Sequence, residues 1–457
     1  MTDGSSLEDA YGRTLDRIKA QDDQKSRLGM AALMWICHSE RPLAAEELCL
    51  ALVVEIGSVD FNDNNAPSMM TVLNCCQGFV VVDEGGSTLR LIHPTLLEYL
   101  TSHRNLFENP HSTIAETCLT YLNSQQVMFL SDPHVQSTQH LPFLEYSSLY
   151  WGAHMKKEFT DRGKTLALEL FSHYECHIST RLLLEHTLGQ YPTSSIVAPY
   201  KFTGLHYASM FGLVQVARAL AMMDGLDING IDETGATPLL WAARGGHEAT
   251  VNLLLRQKDI VPDRPDCKFR TPLSCAAENG HEEVVKLLLG RRGVNPDRLD
   301  WFNQSPLSWA AENGHEAVVK ILLGRASVNP DRRDEWARTP IWWAARNGHA
   351  AVVKLLLERE DVNPDRPDRG SRAPISWAAG NGHDAVVKML LGRASVNPDR
   401  LDGAGRTPVM YAAKNGHDTV VKLLGGRASA PVGQTTRPNA ALVGSRKRPW
   451  DGDEAAR

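Results

Sequence analysis

The sequence predicts a mainly α protein in which a winged-helix-like module and a helical bridge precede an α-solenoid with short β-hairpin fingers. A 34-residue pattern recurs through the second half of the chain, and three helix candidates precede a hairpin signal in the first half. The expected order is a helical lead-in at 1–27, a winged-helix-like domain at 28–103, a helical bridge at 104–198, seven repeats at 199–428 and a disordered tail at 429–457.

The repeat pattern is the strongest signal in the sequence. Triplets of the Thr-Pro-Leu type recur at a constant interval of 34 residues. They begin at Thr203, Thr237, Thr271, Ser305, Thr339, Ala373 and Thr407. Each triplet is followed by an aromatic residue or Cys, then Ala, then in six units a Gly-His pair, and then an apolar segment such as Val-Val-Lys-Leu-Leu-Leu. In the middle of the array the unit closes with Val-Asn-Pro-Asp-Arg.

The physical chemistry of one unit predicts two helices and a finger. The Thr caps a helix N-terminus, and Pro occupies the first helical position, where its missing N–H costs nothing. The first helix ends where Gly takes the left-handed conformation. The second helix, such as the one predicted at 316–323, precedes an Asn-Pro-Asp turn. Because no unit buries its apolar face alone, the units must stack.

This pattern resembles the ankyrin repeat, whose signature is T-P-L-H-x-A-A with a period of about 33 residues. The His of the signature is present only at His206. The first unit is degenerate at Gly204 and at 212–213, as an N-terminal cap would be, and the array ends as if cut short at 426–432. The resemblance implies an ankyrin-repeat α-solenoid that binds protein partners.

Aromatic residues recur on the first helix of the units. They are Tyr207, Trp241, Trp309, Trp343, Trp377 and Tyr411, with Cys275 in the third unit. One interpretation is packing between repeats, which we favour because aromatic residues at helical spacing usually form core. The alternative is a stripe that binds a protein partner, since aromatic residues dominate binding hot spots.

An arginine also recurs in each finger, between two aspartates. The partner-binding candidates of this set are Arg298, Arg332, Arg366 and Arg400. The simplest interpretation is a solvated, self-neutralising row of surface ion pairs, each contributing little to stability. The neighbouring carboxylates argue against nucleic-acid binding by this row.

The first half has the element order of a winged helix. Helices are predicted at 28–39, from Pro42 onward and at 67–77. Segments 79–82 and 89–92 flank a turn and form a hairpin, and a further helix follows His93-Pro94. The third helix carries no Lys or Arg, and residues 1–199 hold 13 Lys and Arg against 24 Asp and Glu. DNA binding is therefore disfavoured.

The same half resembles the region after the NTPase core of fungal NACHT–ankyrin receptors, which are STAND-type signalling ATPases. The segments that carry the resemblance are Leu7–Tyr11, Met34–Ile36, Arg41–Leu43, Glu46–Leu48, Gly78–Val80, Ile92–Pro94, Glu98–Leu100, Leu144–Tyr146 and Tyr150–Gly152. The NTPase core itself is missing from this sequence. Gly163-Lys164-Thr165 mimics a Walker A loop, but Glu158 stands where the loop needs a Gly, and 79–84 mimics a Walker B strand in reversed order.

His93 is the one candidate for nucleotide sensing. The resemblance implies that a His at the start of this helix lies against a nucleotide phosphate. The favoured alternative is a histidine that caps a helix beside the wing, because a lone His is poor evidence of a site.

No catalytic, cofactor or metal site is expected. His173, Cys176 and His177 are crowded but lack a fourth converging ligand, and no hydrolase or Cys/His signature occurs.

The longest apolar run, at 30–37, is far short of the roughly 18 residues of a membrane helix. With no secretory signal and eight irregularly spaced cysteines, a cytoplasmic protein is expected; the basic cluster at 446–449 is a weak nuclear signal.

These observations predict a non-catalytic interaction protein. Its solenoid would bind a protein partner, and its N-terminal part would dock on a NACHT NTPase core, in a recognition or signalling role. The alternative is the regulatory half of a nucleotide-gated ATPase switch with His93 as sensor. The chain begins just past where such a core would end, as a fragment or a truncated gene product would.

Overall fold

The computed structural model describes residues 4–83, 87–103, 105–130, 141–174, 177–188 and 201–425. The chain divides into two units, residues 1–301 and residues 302–457. The tail predicted at 429–457, with its basic cluster, lies outside the described residues. Within the described ranges, none of the helices combines the length and the apolar character needed to span a bilayer.

The first unit begins with a winged helix. Its elements are α1 (Gly4–Lys19), α2 (Asp23–His38), α3 (Ala45–Ala51), a short 3-10 helix (Asp63–Asn65), α4 (Met69–Cys75), β1 (Val80–Val82), β2 (Leu89–Leu91) and α5 (Pro94–Ser102). The two strands are antiparallel, with Val80 opposite Leu91. The predicted winged-helix order is thus confirmed.

The second helix of this module begins later than the sequence predicts. Pro42 does not open α3, because the chain there is extended and pairs with the wing. The N–H of Leu89 donates to the carbonyl of Leu43 at 3.2 Å, and the N–H of Ala45 donates to Ser87 at 2.9 Å. The helix starts only at Ala45, after this tertiary pairing ends.

The winged-helix core is aliphatic. Its fully buried side chains include Leu33, Leu48, Val72 and Leu96, one from each of α2 to α5. Burial of such a side chain contributes about 1.5–3 kcal/mol. Cys75 and Cys76 are also buried at the end of α4.

A helical bridge follows in the same unit. Its helices are α6 (Pro110–Leu122), α7 (Gln125–Leu130), α8 (Phe143–Lys157), α9 (Asp161–Phe171) and α10 (Ile178–Leu188). Thr160 caps α9 by accepting the N–H of Gly163 at 2.9 Å. Gly163-Lys164-Thr165 is therefore part of the first helical turns of α9, and it forms no loop around a phosphate.

The repeats occupy the rest of the described chain. In the first unit they are α11 (Gly204–Phe211), α12 (Val214–Ala221), α13 (Pro238–Arg244), α14 (Glu248–Leu255), α15 (Pro272–Glu278) and α16 (Glu282–Leu289). In the second unit they are α17 (Pro306–Glu312), α18 (Glu316–Leu323), α19 (Pro340–Arg346), α20 (Ala350–Leu357), α21 (Pro374–Gly380), α22 (Asp384–Leu391), α23 (Pro408–Lys414) and α24 (Asp418–Gly425). Pro stands at the first position of each of the first helices except α11, as predicted.

Local signals end and connect these helices as predicted. The Thr237 hydroxyl accepts the N–H of Leu240 at 3.2 Å and caps α13. The glycine after each first helix is left-handed, with φ of 77° at Gly348. The His that follows donates its Nε2–H to the preceding repeat, as His383 does to the Arg346 carbonyl at 3.0 Å. These histidines therefore belong to the fold.

The fingers between repeats are tight hairpin-like loops. Asn329 opens one with an Asx turn, its side chain accepting the N–H of Asp331 at 3.0 Å. The loop closes when the N–H of Asp334 donates to the Arg338 carbonyl at 2.9 Å. The N–H of Glu335 also donates to the preceding finger, so the fingers form a connected row within each unit. In the described ranges, only β1 and β2 are assigned as strands.

Candidate functional site

Tyr207, the first residue of the predicted aromatic ladder, is a packing residue. Its ring is fully buried and stacks on Trp151 of α8, with centroids 4.6 Å apart and parallel planes. Gly152 makes this approach possible, since a β-carbon there would lie 2.7 Å from the Tyr207 hydroxyl. The ring joins the bridge to the first repeat.

The other five aromatic residues divide into buried and half-buried members. Trp241 and Trp343 are buried, at 3% and 1% exposure. Trp309, Trp377 and Tyr411 are half-buried and keep part of their rings accessible to solvent. The buried members pack within the array, whereas the half-buried members also keep part of their surface accessible to solvent.

A finger aspartate holds four of the rings in place. The ring N–H or O–H donates to the Asp nine residues earlier: Trp241 to Asp232 at 2.7 Å, Trp343 to Asp334 at 3.3 Å, Trp377 to Asp368 at 3.0 Å, and Tyr411 to Asp402. Asp334 also accepts the backbone N–H groups of Trp336 and Arg338 at 2.8 and 2.9 Å. One buried carboxylate thus shapes the finger and orients the ring.

Guanidinium groups cover the same rings. Arg338 lies 4.1 Å from the Trp343 ring centroid, and Arg372 lies 4.4 Å from Trp377 and 4.6 Å from Tyr411. Contacts of this kind contribute about 0.5–2 kcal/mol each. Arginine and aromatic groups therefore alternate along this face of the second unit.

A shallow, solvent-open cavity of about 380 Å³ lies on this face. Its lining residues are Asp368, Gly370, Arg372, Trp377, Asp402, Gly403, Ala404 and Arg406. The side chains of Arg372 and Arg406 are 27% and 42% exposed, whereas that of Asp402 is only 2% exposed. The cavity thus exposes two guanidinium groups, whereas Asp402 is buried and Asp368 is partly buried.

The buried carboxylate of Asp402 is stabilised as an anion. Burial by itself would raise the pKa of Asp402, but the hydrogen bond from Tyr411, two backbone N–H groups and the Arg406 charge outweigh it and lower the pKa. The carboxylate therefore remains ionised and holds Arg406 and Tyr411 in their positions.

The second predicted set, the finger arginines, joins neighbouring repeats. Arg298 pairs with Asp263 at 3.0 Å, Arg366 with Asp331 at 3.0 Å, and Arg400 with Asp365 at 2.7 Å, so each of these three contacts the first Asp of the preceding finger. Arg332 occupies the same position of its own finger, its N–H donating to the Asn329 carbonyl at 3.3 Å.

The prediction that this row is solvated is wrong for the aspartates. Asp263, Asp331 and Asp365 are 8%, 8% and 6% exposed. Burial raises the pKa of Asp263 and of Asp331, and the paired arginines act in the opposite direction. The sequence places each Arg beside carboxylates of its own finger, and only the stacking of repeats decides which one it contacts.

His93 is the N-cap residue of α5. Its Nδ1 accepts the N–H of Thr95 at 3.2 Å, and its side chain is exposed. This is the position that the capping interpretation requires.

Of the residues crowded around His177, Cys176 lies outside the described residues, and buried His177 bonds to Ser179 and to the Leu122 carbonyl.

Three arginines that cover the aromatic rings were not among the predicted site residues, and two of them, Arg372 and Arg406, line the cavity. Arg338, Arg372 and Arg406 each stand directly before the Pro-containing triplet of their repeat. The recurrence of Arg at that position could have marked these residues as candidates. The sequence does not show that they lie over aromatic rings, because the fold brings those rings into contact with them.

These features define a repeat-type α-solenoid preceded by a winged helix. The family model for ankyrin repeats (3 copies) matches at 172–266, 205–300, 262–334, 292–368 and 360–432, which together cover more than half of the chain. The chain belongs to the ankyrin-repeat family, whose repeats form protein–protein interaction scaffolds and typically carry no catalysis.

The N-terminal part matches a second family model. This is the winged helix domain of GPI inositol-deacylase, matched at residues 15–110. The ankyrin repeat domain of human ASB11 is a similar solved structure, with 25% identity and a TM-score of 0.45, covering 50% of this chain and 99% of that chain. No curated protein matches the chain.

Proposed function

We propose that this protein is a non-catalytic scaffold whose second unit binds a protein partner at the cavity lined by Trp377, Arg372 and Arg406. The observation that carries this proposal is the difference in exposure: the Arg372 and Arg406 guanidinium groups are accessible, while the Asp402 carboxylate that pairs with both is buried. Half-buried aromatic rings beside accessible arginines have the composition of a binding hot spot.

The chemistry of the cavity specifies the kind of partner segment. A carboxylate can accept two parallel N–H bonds from one guanidinium, which gives direction as well as affinity. The exposed parts of Trp377 and Tyr411 offer apolar surface beside it. The partner segment therefore combines Asp or Glu with an apolar side chain.

The role we propose for this scaffold is recognition or signalling. In this proposal the winged helix docks on a NACHT-type NTPase core, in the same or another chain, while the repeats bind the partner. The match of residues 15–110 to a winged helix domain supports a docking module in this place. The capping role of His93 gives no support to a nucleotide-gated switch in which His93 is the sensor.

The test is peptide selection against the full chain. Peptides displayed as a random library should be enriched in Asp or Glu next to apolar residues. The variant R372A/R406A should bind the selected peptides about 10-fold or more weakly, as expected when hot-spot arginines are truncated. The control R359A removes an exposed arginine that pairs with Asp361, and should bind as the wild type does.

Two results would count against the proposal. One is a selected set without acidic residues. The other is equal binding by wild type and R372A/R406A, which would place the binding surface elsewhere on the chain.

A further inference from the structure

Three side chains with metal-ligating atoms meet where the winged helix contacts the bridge. Glu40 follows the end of α2, His111 lies in the first turn of α6, and His154 lies near the end of α8. One ligand atom from each lies within 4.8 Å of the other two. They are far apart in the sequence, so they form no metal-binding motif of fixed spacing.

The two imidazoles already face each other with their ligating atoms. Nδ1 of His111 lies 2.9 Å from Nδ1 of His154. At most one proton fits between two nitrogens at this distance, so at least one of them presents a lone pair. Two nitrogens on a tetrahedral zinc ion, each about 2.0–2.1 Å from the metal, are about 3.3 Å apart. The rings need to separate by only a few tenths of an ångström.

The surroundings support the buried imidazole as a ligand. His154 is fully buried, and its Nε2 lies 2.9 Å from the Tyr146 hydroxyl. That hydroxyl also accepts the backbone N–H of Glu40 at 3.1 Å. When a histidine ligates through one nitrogen, the other nitrogen typically donates to such an oxygen, which fixes the ring orientation. Tyr146 thus ties two of the three candidate ligands together.

The charges around the cluster allow a cation to enter. The Lys157 ammonium lies 2.7 Å from the Glu40 carboxylate, but its side chain is 50% exposed and can move into solvent. The Glu158 carboxylate accepts the N–H of Ser112, the residue after His111, at 3.0 Å, and its charge also acts on His111. Two carboxylates therefore lie near the cluster against one exposed ammonium, and the His38 ring lies beside His111 with the centroids 5.4 Å apart.

We propose that Glu40, His111 and His154 bind one zinc ion. Two nitrogens and one carboxylate oxygen are a zinc donor set, and a water molecule completes the tetrahedron. Because the ligands come from the winged helix and from two bridge helices, the ion links these two parts. The ion would stabilise the folded state, since unfolding separates the ligands.

The test is zinc binding by the full-length chain without an affinity tag. Zinc chloride is titrated against a chromophoric chelator, and cobalt substitution reports the coordination geometry. Wild-type protein should bind one zinc ion tightly and should melt at a higher temperature with zinc. H111A and E40A should each lose at least about 100-fold in affinity, beyond the usual cost of losing an indirect partner.

Three further variants make the result specific. Y146F should lose about 10–100-fold, as expected for a residue that orients a ligand. K157A should bind zinc more tightly, because it removes the competing ammonium. H186A removes an exposed histidine of α10 and should bind as the wild type does.

Other results would overturn the proposal. These are unchanged affinity in H111A and E40A, equal losses in H186A, or weak binding of several ions with no tetrahedral cobalt spectrum. His111 and Glu40 are not fully buried, so their variants are expected to fold, and circular dichroism checks this.

Discussion

At the scale of single residues, the buried finger aspartates connect the most interactions. Asp334 accepts two backbone N–H groups, pairs with Arg338 at 2.7 Å and accepts the indole N–H of Trp343. Its carboxylate is therefore fully compensated although it is buried. Removing it would take away the hydrogen bonds that Arg338 and the Trp343 indole N–H make to this carboxylate.

We predict that D334A lowers the free energy of unfolding by about 3–5 kcal/mol, as expected when one member of a buried ion pair is removed. The matched control is D361A, which breaks the exposed pair with Arg359, whose side chains are 40% and 52% exposed. That pair should contribute less than about 1 kcal/mol. Urea unfolding followed by circular dichroism measures both, and similar losses in the two variants would contradict the prediction.

At the scale of the repeat, a glycine and the next histidine set the stacking distance. A β-carbon on Gly348 would lie 2.6 Å from Nδ1 of His383, whose Nε2–H donates to the Arg346 carbonyl. Gly416, in the last described repeat, has the same φ within a degree but has nothing within 4 Å. A comparison of alanine substitutions at Gly348 and Gly416 therefore distinguishes the cost of backbone strain from the cost of a clash with the following repeat.

We predict that G416A costs only the strain of a left-handed alanine, about 1–2 kcal/mol. G348A should cost a further 1–3 kcal/mol or so, because the added methyl displaces the His383 ring and its hydrogen bond. Urea unfolding of the two variants measures the difference. Equal destabilisation would show that the imidazole moves aside at no cost.

At the scale of the whole molecule, each unit has its own source of cohesion. In the first unit, the stack of Trp151 on Tyr207 makes the bridge the cap of the repeat array. In the second unit, inter-repeat pairs such as Arg400 with Asp365 and the alternating arginine and aromatic groups join neighbouring repeats. Stability in such an array is a sum of nearest-neighbour terms.

We predict that Y207A destabilises the first unit by about 3–5 kcal/mol, the usual cost of truncating a large buried aromatic residue. Because the Tyr207 ring of α11 stacks on Trp151 of α8, its removal should increase amide hydrogen exchange in both helices. F129A removes an aromatic ring that is 62% exposed and should change little. An increase confined to α11 would argue against the capping role of the bridge.

Local signals predicted much of the fold. Caps, first-turn prolines and left-handed glycines act within a few residues, so the repeat helices begin and end where the sequence indicates. The predicted start of α3 was wrong because the wing, about 45 residues later, pairs with Leu43 and holds the chain there in an extended conformation. The burial of the finger aspartates was missed because it arises only when repeats stack.

The sequence by itself determined the repeat period, the order of the winged-helix elements and the identity of the aromatic positions, since these depend on local propensity and spacing. Only the tertiary structure decided which rings are buried, which Asp each arginine contacts, and that Arg372 and Arg406 lie over Trp377 and Tyr411. It alone brought Glu40, His111 and His154 together. The physical reason is that burial and charge pairing depend on neighbours in space, and the chain folds distant residues into those places.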